Sequence, residues 1–226
     1  SRYDLAASTA PALPTQPLTS QAPTNGHTVE SPRQPVEDGT TAITPPDADL
    51  FAIKTIPLSE AQQQLWFLSQ MSQEASLAYN ESVSLWLRGP LQIDTLRTAL
   101  QTLVARHEAL RTTFSSEGDV QKIAPTLTID LPIIDFSALG VDASQAVADW
   151  FKQESHRAID LCNGPLFRMQ LLKLAAQEHL FVLTAHHIII DGLSLAVLLR
   201  EASELYSAAC RGEKAQLPAA TQFSQQ

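Results

Sequence analysis

The segment HLFVLTAHHIIIDGLS (179–194) sets how the rest of the chain is read. From Leu180 to Ala185 it is an almost unbroken apolar run, and its β-branched and aromatic content fits a strand covered on both faces. His186 and His187 follow, then three isoleucines, and Asp191-Gly192 ends the extension, so the strand is expected over about 179–189. Just upstream, LFRMQLLKL (166–174) is a second strand, joined to the first by a polar turn that suits a hairpin. Downstream, a helix is expected from about Leu193 to Arg211.

Working back toward the N-terminus, VDASQAVADWFKQESHRAI (141–159) carries Val147, Trp150 and Phe151 at amphipathic helical spacing. ALRTTFS (109–115), VQKIA (120–124) and LTIDLPIID (127–135) read as short strands, with a turn at Glu117-Gly118-Asp119. IDTLRTALQTLVARH (93–107) places Leu96, Leu100, Leu103 and Val104 on one helix face, with Asp94 as its expected cap. ESVSLWLRG (81–89) alternates Val83, Leu85 and Leu87 against Ser82, Ser84, Trp86 and Arg88, the pattern of a strand. A helix from about Ser59 to Ser72, capped by Ser59, comes first. Strands and helices so mixed predict an α/β (α+β) fold, a mixed central sheet flanked by helices on both faces.

The chain has 226 residues and 44% apolar content, enough for a sizeable core, but its composition is uneven. Residues 1–50 hold eight of the fourteen prolines with many Thr, Ala and Ser, and read as a disordered or extended linker. The folded unit is expected over 51–226, starting near Asp49 to Pro57. A net charge of -9, with no basic stripe, argues against nucleic acid or an anionic membrane as partner. Cys162 and Cys210 lack metal spacing and any disulfide framework, which suits a reducing cytoplasm. No apolar stretch reaches the roughly 18 residues that span a bilayer.

Three clusters hold candidate chemistry. On a strand, His186 and His187 point to opposite faces, so a metal shared by both is disfavoured. Spacing alone leaves two readings open: satisfied core histidines with Asp191 capping the next helix, or a site built at a strand end. RHEALRTTF (106–114) contains His-Glu, but Arg111 stands where a zinc-protease helix needs its second histidine. Arg106 and Arg111 are either a solvated helix end or partners for a buried Asp191. SEAQQQLWFL (59–68), taken alone, reads as core packing. There is no GxSxG elbow, P-loop or GxGxxG, which removes serine-hydrolase and nucleotide-binding readings.

Together and in this order, the clusters resemble the first three core motifs of the condensation domains of nonribosomal peptide synthetases. The first, Ser-x-Ala-Gln-x-Arg-Leu-Trp-x-Leu, is matched by Ser59, Ala61, Gln62, Leu65, Trp66 and Leu68, with Gln64 in place of its arginine. The second, Arg-His-Glu-x-Leu-Arg-Thr-x-Phe, is matched from Arg106 to Phe114, and the third, His-His-x-x-x-Asp-Gly, from His186 to Gly192. The LAYN and LRGPL stretches also resemble the family's connecting segments.

The resemblance implies a fold similar to chloramphenicol acetyltransferase, two-lobed with a tunnel between the lobes. This chain would be the N-terminal lobe, the second lobe being absent and the fragment alone inactive. It implies amide formation between an upstream carrier-bound acyl or peptidyl thioester and the amine of a downstream carrier-bound aminoacyl thioester. His187 would face the tunnel and act on the amine, His186 would shape the strand end, and the Gly192 N–H would meet the developing oxyanion. Asp191 would be structural, in an ion pair with Arg106 or Arg111. It implies no directly bound cofactor or metal, with substrates carried on 4'-phosphopantetheine. The implied partners are upstream and downstream carrier domains, from peptide or polyketide modules, and an adjacent adenylation domain.

The intact His186-His187 pair resembles chain-elongating rather than heterocyclising domains, and the flanking stretches look less like epimerisation domains. Residues 1–50 would tether the upstream carrier. Two alternatives share the motifs: a catalytically silent module that recruits a carrier or tailoring enzyme, and a stand-alone acyltransferase using coenzyme A esters.

Overall fold

The computed structural model describes residues 52–140, 143–222 and 224; the linker expected over residues 1–50 lies outside them. Its centre is the expected hairpin. Strand β6 (Phe167–Ala175) pairs antiparallel with β7 (Glu178–His186). On the other side of β7 lies β2 (Asn80–Arg88), also antiparallel, while the short β5 (Ile133–Asp135) runs parallel to β6. The resulting four-stranded mixed sheet has the order β2-β7-β6-β5. A second sheet of three strands, β1-β4-β3, joins β1 (Lys54–Pro57), β4 (Val120–Ile123) and β3 (Thr112–Phe114). Strand β1 is too short to leave a period in the sequence.

Both faces of the four-stranded sheet are covered, as the near-continuous apolar β7 demands. Alternation along the hairpin divides the work. Phe167, Met169, Leu171, Phe181, Leu183 and Ala185 belong to the main core, with Val83 and Leu85 of β2. Helices α3 (Ile93–Arg106) and α5 (Gly192–Cys210) add Leu100, Leu103, Val104 and Leu198 to it. The alternate residues Leu172, Leu180 and Val182 pack on Val147, Trp150 and Phe151 of α4 (Ala143–Ser155). Each such side chain, once buried, contributes roughly 1.5–3 kcal/mol. The α/β layering expected from the sequence is the one observed.

Several boundaries moved for identifiable reasons. Of the strand expected over 127–135, only Ile133–Asp135 pairs. The amide side chain of Gln101 takes up its earlier backbone groups instead, donating to the Leu127 carbonyl (2.7 Å) and accepting from the Ile129 N–H (3.0 Å). The strand expected over 109–115 begins with a 3-10 turn, Glu108–Arg111, and only Thr112–Phe114 is extended. Asp94 does not cap α3: Gln92 is the capping residue, its N–H bound to the Tyr206 hydroxyl (3.1 Å), and Asp94 sits in the first turn holding Arg97 (2.8 Å).

Helix α1 (Glu60–Met71) starts as expected at Ser59, with a full capping box: Ser59 Oγ accepts from the Gln62 N–H and Gln62 Oε1 accepts from the Ser59 N–H. A short α2 (Gln73–Leu77) follows it. Trp66 of α1 lies on the turn between β3 and β4, where Gly118 has a φ of +70° and a Cβ would come within 2.4 Å of the indole. Gly118→Ala is therefore expected to destabilise the domain by about 1–3 kcal/mol, through both the left-handed backbone and the clash. An unchanged urea midpoint for that variant would show that the turn and indole can part freely.

Candidate active site

The strand does not continue through the isoleucines. It ends at His186, and the chain folds back there because the Ile188 N–H donates to His186 Nδ1 (3.2 Å) and the Ile189 N–H to the His186 carbonyl (3.1 Å). Ile188, Ile189 and Ile190 are then buried as a turn rather than as extended chain, burial outweighing their β propensity.

The two histidines part at this point. The His186 ring is fully buried. Its Nδ1 accepts a hydrogen bond, so its proton is on Nε2, which donates to Ser69 Oγ (3.3 Å); Ser69 in turn donates to the Leu65 carbonyl (2.8 Å). A satisfied neutral ring thus ties β7 to α1. Burial, with a smaller contribution from neighbouring His187, lowers the His186 pKa to about 4. Because the folded value lies below the unfolded one of about 6.5, the unfolded chain takes up the proton first as pH falls. Stability carried by the neutral ring is complete above about pH 6.5 and declines toward pH 4, by about 3 kcal/mol. Urea midpoints measured between pH 7 and 5 should fall more steeply for the wild type than for His186→Gln; parallel curves would refute this assignment.

His187 stands apart from the core, its side chain 38% exposed. Its backbone N–H donates to the Tyr79 carbonyl (2.7 Å), and its Nδ1 lies 2.7 Å from Glu81 Oε1. The alignment of that contact falls short of a good hydrogen bond. Asp191 is exposed and caps α5, its carboxylate accepting from the Ser194 N–H (2.7 Å). The Ser194 side chain first, then that backbone N–H, and to a lesser degree the nearby His187, hold the Asp191 carboxyl below its ordinary range. Gly192 opens the helix, and a Cβ there would meet no atom of this chain within 4 Å. The first amides of a helix have no partner within it, so this end of α5 presents donors and a positive dipole end beside an accessible imidazole. Such a pairing suits a reaction that moves a proton and develops negative charge on oxygen.

The expected ion pair of Asp191 with Arg106 or Arg111 does not form. Arg106 Nε bonds the buried Glu201 of α5 (2.9 Å), and His107 Nε2 reaches the same carboxylate (2.7 Å). Burial pushes the Glu201 carboxyl up, but hydrogen bonds from Arg106 and His107 outweigh it and leave the net shift downward. Arg111 bonds backbone oxygens instead, those of Val104 (3.2 Å), Pro125 (3.2 Å), Ala105 (3.4 Å) and Ala124. Asp191 needs no cationic partner because it is solvated at the helix start. The motif around Arg106 is thus a brace between α3, α5 and the segment near Pro218, whose carbonyl Arg106 also binds.

A cleft of about 360 Å³ between α5 and residues 218–222 is lined by His107, Asp191, Leu193 and Glu201, and His187 is not part of its wall. Among the described residues no cluster of His, Cys, Asp and Glu is placed to hold a metal ion, and no helix is long and apolar enough to cross a membrane.

The sequence model of the family described as "Condensation domain" matches residues 52–225. The chain belongs to the condensation-domain family. The domain is 40% identical over 173 residues to chondramide synthase of Chondromyces crocatus, a match that covers 75% of this chain and 4% of that protein. It is 42% identical over 158 residues to cyclosporin synthetase of Tolypocladium inflatum, covering 69% and 1%. Among solved structures it resembles the starter condensation domain of rhizomide synthetase, with a TM-score of 0.69, 27% identity, and coverage of 76% of this chain and 42% of that one. It also resembles the first condensation domain of the calcium-dependent antibiotic synthetase, at a TM-score of 0.65 and 25% identity, covering 74% and 41%. This chain therefore spans less than half the length of the condensation domains it superposes on.

Glu81, Ser69 and Glu201 were not singled out in the sequence. Their roles depend on the register of β2 against β7 and on the packing of α1 and α5, none of which leaves a local signature.

Proposed function

We propose that this condensation domain forms an amide bond between two carrier-bound substrates, this chain being its N-terminal lobe. The observation that carries the proposal is the accessible His187 ring beside the open N-terminus of α5, in a chain of this family. The amine of the acceptor aminoacyl thioester attacks the carbonyl of the donor thioester. The new C–N bond forms, and the carbonyl oxygen carries the negative charge of the tetrahedral intermediate. The Gly192 N–H, at the dipole end of α5, donates to that charge. The imidazole of His187 accepts a proton from the attacking nitrogen and passes it to the sulfur as the C–S bond breaks, releasing the donor's pantetheine thiol. His186 takes no proton at working pH, and Asp191 fixes the start of α5.

The substrates are held on 4'-phosphopantetheine of upstream and downstream carrier domains, with an adenylation domain supplying the acceptor, and the residues before β1 serve as a tether for the upstream carrier. The setting is cytoplasmic. Loading both carriers of the full-length protein and following the downstream carrier by intact mass spectrometry tests the proposal: the acyl or peptidyl group should move onto the acceptor amine. A donor that stays on its carrier while both carriers are loaded would favour a noncatalytic recruiting module.

A further inference from the structure

Both the backbone and the ring of His187 meet one short stretch at the start of β2, Tyr79 to Glu81. Tyr79, just before the strand, accepts the His187 N–H, and Glu81, two residues on, places Oε1 2.7 Å from Nδ1. The register explains why. Glu81 is paired with Ala185, so it points to the same sheet face as Ala185 and lies diagonal to His187, within reach of a long side chain. Among the described residues, His187 is the one basic side chain within 4 Å of the Glu81 carboxylate. Glu81 is also half-exposed and has no part in the core.

We infer that Glu81 is a positioning residue for His187: its carboxylate holds the ring with the proton on Nδ1 and leaves the Nε2 lone pair facing the substrates. The inference rests on the amide-forming role proposed for His187. The contrast with the neighbouring ring supports it. His186 accepts at Nδ1 from a backbone N–H and so carries its proton on Nε2. A carboxylate is an acceptor only, and one placed at Nδ1 of His187 selects the opposite tautomer. Two adjacent imidazoles are thus set in opposite states, one spent on the core and one free at Nε2. The contact is imperfectly aligned in the free domain, as catalytic hydrogen bonds often are before substrate binds.

The test uses the full-length protein with both carriers loaded, comparing Glu81→Ala, Glu81→Gln and His187→Ala with the wild type. Glu81→Ala should lower the single-turnover rate at saturating acceptor by about a hundredfold, the scale of a misplaced reacting group, while the acceptor KM and the melting temperature stay close to wild type. Glu81→Gln keeps an acceptor oxygen at the same reach and should recover about tenfold of that loss. A Glu81→Ala rate within about twofold of wild type, a loss confined to KM, or a Gln variant no better than Ala would overturn the inference. If His187→Ala is dead while Glu81→Ala is normal, the positioning role falls and the proposed function stands. A normally active His187→Ala would remove the role of His187 and this inference with it.

Discussion

Arg106→Ala is expected to lower the stability of the condensation domain by about 3 kcal/mol, the low end of the range for stranding a buried charge. Glu201 sits on the buried face of α5 with its side chain 4% exposed, and its carboxylate is held by the Arg106 guanidinium at 2.9 Å. Removing the arginine leaves His107 as partner at 2.7 Å, which keeps the loss from reaching the upper end. The carbonyl of Pro218 loses a donor in the same step, so the segment lying over α3 should loosen too. Asp191→Ala, by contrast, removes only a helix cap from an exposed position and should cost about 1 kcal/mol. Urea denaturation of the two variants separates these cases. Equal losses would mean that Asp191 is buried and paired in the working protein, against the arrangement seen here.

His187→Ala is expected to lower the single-turnover rate of amide formation by about a hundredfold to ten-thousandfold, the range for a positioned proton acceptor. The ring contributes little to the core: it is exposed on one edge, and its backbone contact with Tyr79 survives truncation. The melting temperature should therefore move little. A rate close to wild type would assign the proton transfer to another group.

Much of this was legible in the sequence, and where it was not, the missing information was tertiary. The hairpin of β6 and β7 was visible because a strand covered on both faces must be apolar throughout, and α1 because Ser59 offers a cap at its start. Strand parity alone also separates His186 from His187. The ion pair of Asp191 with Arg106 or Arg111 failed because the sequence marks a charge without marking its burial, and Asp191 turned out to be solvated while Glu201, unremarked on an amphipathic helix, was the buried one. Glu81 was illegible for a related reason: 106 residues separate it from His187, and only the register of β2 on β7 brings them together.

The central claim is that one of two adjacent histidines serves the core and the other the reaction. The most direct measurement compares His186→Ala and His187→Ala in the full-length protein, recording melting temperature and single-turnover amide formation for each. A crossed result is predicted: His186→Ala loses stability with its buried ring and its link to Ser69, and His187→Ala loses turnover while melting like the wild type. Normal turnover in His187→Ala, or an equal loss of stability in both variants, would contradict it.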